Sequence, residues 1–162
     1  KTDPAILKMF YMEGKKQKIP FNDYIRSLNL VPVSISYEYD PGDVAKAREL
    51  HAKETAGAYE KSEFEDIQSI VQGITGQKGR VHVAFGKPLH ADVDNADELA
   101  GVIDQEIYAN YHLFPSNLLA AGQAVEVNDA ERRAFDEHMS QVPAELRERV
   151  LAMYARPVLN KG

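Results

Sequence analysis

The chain's means of moving protons or holding a metal are five histidines: His51, His82, His90, His112 and His138. It contains no cysteine, which removes thiolate nucleophiles, thiolate metal sites and disulfides together. No two histidines stand at the helical spacing of a metal pair, and there is no His-Glu-x-x-His. Serines are present without a Gly-x-Ser-x-Gly elbow, so no nucleophile–base pair is legible. Asp92-x-Asp94-x-x-Asp97 has the opening of a calcium loop, but Asp97 stands where that loop needs glycine and no glutamate closes it. Asn95 and the acidic residues after it read instead as a capped helix start. Gly73-Ile74-Thr75-Gly76-Gln77-Lys78-Gly79 lacks the Gly-x-x-x-x-Gly-Lys spacing of a phosphate loop and follows a helix rather than a strand. A helix end turning into a strand accounts for those glycines. Neither a metal nor a cofactor is expected.

The elements that must position any such residues follow from periodicity. Asp3-Pro4 opens a helix, with proline where its missing N–H costs nothing. Ala5 to Met12 is apolar nearly all round, and Gly14 with Lys15, Lys16 and Lys18 ends it, with cations at the end the dipole favours. Phe21 to Leu28 suggests a short helix. Leu30 to Glu38 alternates as a strand, with Val31, Val33, Ile35 and Tyr37 on one face and Pro32, Ser34, Ser36 and Glu38 on the other. Pro32 donates no ladder hydrogen bond and belongs at a strand start, an edge or a bulge.

Asp40-Pro41-Gly42-Asp43 is a turn with Asp43 placed to cap the next helix, which runs to Gly57. A helix from about Glu63 carries Phe64, Ile67, Ile70, Val71 and Ile74 at three-to-four spacing. Arg80 to Phe85 is a second strand, with Val81, Val83 and Phe85 opposite Arg80, His82 and Ala84. Helices are expected at Asn95–Tyr111, Pro115–Leu119, Asp129–Met139 and Pro143–Tyr154. Two strands make a marginal sheet, so either helices cover them heavily or further strands lie outside the chain.

The 162 residues, 44% apolar and 27% charged, amount to one ordinary globular segment. No run approaches the roughly 20 apolar residues of a bilayer crossing, and no secretory signal is present. A net charge of −6, spread along the chain, argues against a nucleic-acid partner but leaves a membrane surface open to a local basic patch. A cytoplasmic setting, peripheral to the inner membrane face, is expected. The chain starts at Lys1 rather than Met, which suggests a piece of something longer.

Two strand motifs in order add a family. Leu30-Val31-Pro32-Val33-Ser34-Ile35-Ser36-Tyr37-Glu38 resembles the fourth conserved block of glycerolipid acyltransferases, where a Pro-containing strand ends in Tyr-Glu. Gly79-Arg80-Val81-His82-Val83-Ala84-Phe85-Gly86-Lys87-Pro88-Leu89 resembles the strand those enzymes place next, closing in Phe-Gly-x-Pro. Lys46-Ala47-Arg48-Glu49-Leu50 and Ser69-Ile70-Val71-Gln72-Gly73-Ile74 look like the helices between them. The chain is thus similar to the C-terminal portion of a bacterial glycerol-3-phosphate / 1-acylglycerol-3-phosphate acyltransferase, over residues 1–89. Residues 90–162 would then be a helical C-terminal extension.

The resemblance implies an α/β fold: a partial acyltransferase sheet of few strands, covered by several helices. It implies a role in phospholipid biosynthesis, moving an acyl group from acyl-CoA or acyl carrier protein to a glycerophosphate-type acceptor. The family's base is the histidine of a His-x-x-x-x-Asp motif, activating the acceptor hydroxyl. Here the residues five positions after the histidines are Ala56, Lys87, Asn95, Asn117 and Pro143, so the base is missing and the chain alone is expected to be inactive. Glu13-Gly14-Lys15 has the letters of the family's phosphate-binding block but not the strand before it. By resemblance, Pro32, Ser34 and Ser36, on the small face of the first strand, and Arg80 are the substrate-contacting candidates. The expected partners are a missing N-terminal catalytic half, a thioester donor, a membrane surface and a second copy joined through an unpaired strand edge. The competing reading is a non-enzymatic interaction or regulatory module that keeps the C-terminal lobe.

Overall fold

The computed structural model describes residues 1–59, 62–90, 92–123 and 127–161. The chain is mostly helical, with one small antiparallel sheet, which fits a general α/β description. The helices are α1 (Pro4–Phe10), α2 (Met12–Lys16), α3 (Phe21–Ser27), α4 (Asp43–Ala56), α5 (Glu65–Thr75), α6 (Ala96–Asn110), α7 (Pro115–Ala120), α8 (Asp129–Ser140) and α9 (Arg147–Lys161), and the strands are β1 (Val33–Tyr37) and β2 (Val81–Phe85). They divide into two compact units, Lys1–Ile35 with Val83–Tyr111 and Ser36–His82 with His112–Gly162, and both strands run through both. Among the described residues no helix is long and apolar enough to cross a membrane.

In the first unit α1 packs on α6. Asp3 caps α1 by accepting the Ala5 N–H at 2.8 Å, and Asn95 caps α6 by accepting from the N–H groups of Asp97 and Glu98. The Asp92–Asp97 stretch therefore does the capping work its sequence suggested. Leu7, Ile25, Leu89, Val93, Leu99 and Ala100 form the core. Gly14 is buried where the Tyr24 ring lies so close that a Cβ would stand 2.5 Å from its Cγ. The glycine of Glu13-Gly14-Lys15 thus has a packing role inside a helix.

In the second unit α7, α8 and α9 pack together with α4 on α9, burying Ala47, Phe135, Val142, Leu146 and Val150. Asn117 is buried; its Oδ1 accepts from the Phe114 N–H at 2.8 Å and its Nδ2 donates to the Tyr154 carbonyl at 3.0 Å. A 3₁₀ turn at Ala144–Leu146 leads into α9, which passes Tyr154 and runs through Pro157, since burial of Val158 beyond it holds the last turn. Asp43 is the first residue of α4 rather than its cap: Gly42 holds the cap position, and the Asp43 carboxylate accepts from the Val44 N–H with Oδ1 while Oδ2 faces His138 and Tyr154.

The strands pair antiparallel. Glu38 N–H donates to the Arg80 carbonyl at 2.9 Å and Gly86 N–H to the Pro32 carbonyl at 2.8 Å; Leu89 N–H to Leu30 extends the pairing past the strand ends. Pro32 stands just ahead of β1, where only its carbonyl is needed. Alternation is as the sequence gives it, but the orientation is notable. Ser34 and Ser36 are buried, whereas Val33, Ile35 and Tyr37 are exposed, as are Val81, Val83 and Phe85, the last at 75%. The same inversion holds for α5. Its polar side (Glu65, Gln68, Ser69, Gln72) lines a groove of about 360 Å³ beside Ala45 and Arg48 of α4, while Ile67, Ile70, Val71 and Ile74 are more than half exposed.

Candidate functional site

Two polar clusters in the second unit hold its chemistry-bearing side chains. The first forms around Arg80, at the entry to β2. Its Nε and Nη2 donate to the Glu38 carboxylate at 3.1 and 2.8 Å, and Nη2 also reaches Glu131 Oε1 at 3.1 Å. The guanidinium lies over the Phe114 ring, 5.6 Å from its centroid. Glu38 is placed by the end of the β1 pairing, and Glu131 by the capping box it forms with Asn128 at the start of α8. The guanidinium holds the Glu38 carboxyl below its ordinary range against the opposing effect of burial, and Glu38 in turn raises the Arg80 pKa. Two carboxylates against one guanidinium leave the cluster net negative, which disfavours a phosphate there.

Beside it the His82 and His112 rings stack at 4.8 Å, and Phe114 meets His112 edge-on. Burial, then the neighbouring His82 and Arg80, lower the His112 pKa, so this imidazole is neutral at neutral pH. The small face of β1 is closed by the same segment: Ser36 Oγ accepts from the His112 N–H at 3.0 Å, and Ser116 Oγ donates to the Glu38 carbonyl at 2.6 Å. Of the four sequence candidates, Ser36 and Arg80 therefore belong to one cluster. Pro32, just ahead of the strand, and Ser34, on it, belong to the first unit; both are buried, and Ser34 Oγ has no partner among the described residues.

Lys78 donates to the Ile74 and Gly76 carbonyls at 3.0 and 3.1 Å, and Gly76 N–H to Gln72 at 2.8 Å. The glycine-rich stretch therefore closes the end of α5, as its sequence position indicates.

The second cluster joins Asp43, His138 and Tyr154. Asp43 Oδ2 lies 2.8 Å from His138 Nε2 and accepts from the Tyr154 hydroxyl at 2.9 Å; that hydroxyl accepts from the Asp40 N–H at 2.9 Å. A carboxylate can only accept, so Nε2 is the His138 nitrogen that donates in this contact. Burial raises the Asp43 pKa, but the bonds from His138 and Tyr154 outweigh it and hold the carboxyl below its ordinary value. Burial and the Asp43 charge push the Tyr154 phenol well above its own.

Asp43 and His138 border a cleft of about 260 Å³ with Gln72, Gln77 and Gln141. Through these bonds the three side chains tie α4, α8 and α9 to one another. Sequence reading missed the cluster, because a carboxylate in the first turn of a helix looks like a cap. Among the described residues no three His, Asp or Glu side chains converge as a metal site. Comparison with known protein families, with curated proteins and with solved structures gives no match.

Proposed function

We propose that this chain is the C-terminal lobe of a glycerolipid acyltransferase working at the cytoplasmic membrane face, and that it contributes structure rather than the catalytic base. One observation carries the reading. The two motif strands, far apart in sequence, pair side by side and leave their whole apolar face bare, with an outer edge unpaired on each among the described residues. Solvent-facing Val, Ile and Phe on a two-stranded sheet are what a lobe looks like when the rest of its sheet and covering layer lie elsewhere.

The five histidines remain without the family's aspartate five positions on, and His138 has its carboxylate, Asp43, from a different helix. Acceptor activation therefore falls to another part of the enzyme. The deciding experiment is to read the coding sequence upstream of the Lys1 codon and assay the chain in a thioester-release reaction with glycerol 3-phosphate. A His-x-x-x-x-Asp block in frame upstream, with no turnover by the chain alone, is the expected result. Absence of that block, or turnover by the isolated chain, would overturn the proposal.

A further inference from the structure

Deepening the membrane-face part of the proposed function, we propose that the outer face of α1–α2 is a docking surface for an anionic lipid bilayer. The two helices form nearly one rod, because Tyr11 between them keeps right-handed helical torsions. One side of the rod is anchored: Leu7 is buried against the first unit's core, Gly14 under Tyr24, and Thr2 holds Asp104 through both its N–H and its hydroxyl. The rest of the rod's surface presents Ile6, Met9, Phe10 and Met12, with Met9 66% and Met12 60% exposed. At 100° per residue Ile6, Met9 and Phe10 fall on one stripe, and Met12 borders it.

Charge selects the occupant. Lys1, Lys8, Lys15, Lys16 and Lys18 are all exposed and share their segment with only Asp3 and Glu13, in a chain whose net charge is −6. Lys8 leans on Asp97 at 3.6 Å and Lys16 on Glu13 at 3.4 Å, both exposed pairs, while Lys15 and Lys18 have no ion pair among the described residues. Apolar, flexible side chains bordered by lysines suit the headgroup boundary, where the stems lie along acyl chains and the ammonium groups reach phosphates. The bare stripe of α5 differs here: its first turn is acidic (Glu65, Asp66) and its last turn carries no basic residue.

The test is co-sedimentation of the chain with vesicles of phosphatidylcholine alone and of phosphatidylcholine mixed with phosphatidylglycerol. Expected is binding to the anionic vesicles, weakened by salt, and roughly tenfold or greater loss in Met9→Asp/Met12→Asp and in Lys15→Glu/Lys16→Glu. Val71→Asp on α5 should bind like the parent chain, and circular dichroism should show each variant folded. Equal binding to neutral vesicles, no loss in either double variant, or loss in Val71→Asp would overturn the proposal. So would self-association without lipid that Met9→Asp/Met12→Asp abolishes, because that assigns the face to a second copy. Vesicle binding needs no catalytic half, so its failure removes the membrane contact of this face and leaves the acyl-transfer part of the proposed function to its own test.

Discussion

Replacing Tyr154 by phenylalanine removes one oxygen and nothing else, from a ring that is 5% exposed. That oxygen donates to the Asp43 carboxylate and accepts from the Asp40 N–H, both at 2.9 Å. A hydrogen bond to a charged acceptor contributes about 1.5–3 kcal/mol, and a partly buried amide left without an acceptor costs about 1–3 kcal/mol. Some of this returns as the apolar ring relaxes, so a loss of about 3 kcal/mol is expected. With a urea slope of about 2 kcal/mol/M, the unfolding midpoint should fall by about 1.5 M at unchanged slope.

The same variant should also raise the Asp43 pKa, because one of the two side-chain bonds that lower it is gone. Its acid unfolding should therefore begin at higher pH than in the parent chain. Equilibrium unfolding by circular dichroism at neutral and acid pH measures both effects. A midpoint within about 0.25 M of the parent, which is under about 0.5 kcal/mol at that slope, would show that the cluster does not brace the second unit.

Gly14→Ala should lower the melting temperature by about 4 °C: overpacking against Tyr24 costs more than the gain in helix propensity. A rise in melting temperature would show that Tyr24 swings aside freely. Asp43 and Glu38 both have folded pKa values below the ordinary 3.8 and 4.5. The stability they confer is therefore full above those ordinary values and is lost as pH falls through the folded ones, which an acid titration of the urea midpoint would record. Arg80 should show no saturable change in its Nε–H resonance on titration with inorganic phosphate, since that donor already serves Glu38; a saturable shift would mean the guanidinium is available to a ligand.

Much of the fold is written in short-range pattern. Asp3-Pro4, Asn95 and Asn128 mark the starts of α1, α6 and α8 because a side-chain oxygen two or three residues before an orphan N–H is a purely local device. Gly57 closes α4 in a left-handed conformation, another local requirement. The offsets of the five histidines are likewise fixed in sequence, so the missing base needed no structure. The candidate site was less legible. Ser36 and Arg80 stood out as residues, but nothing local says that Arg80 meets Glu131, or that Ser36 receives the His112 amide.

The sequence by itself determined which residues share a face of each strand and helix, where most helices begin, and that no histidine has an aspartate at the family offset. Period and offset depend only on neighbours along the chain. Tertiary structure alone decided which way those faces point: the valine–isoleucine side of the sheet and the isoleucine stripe of α5 turn to solvent, and Ser34 and Ser36 turn inward. It alone brought Asp43 to His138 and Tyr154, and Gly14 under Tyr24. Such contacts depend on how whole elements pack, and a repeat of two or of three to four residues carries no sign for inside and outside.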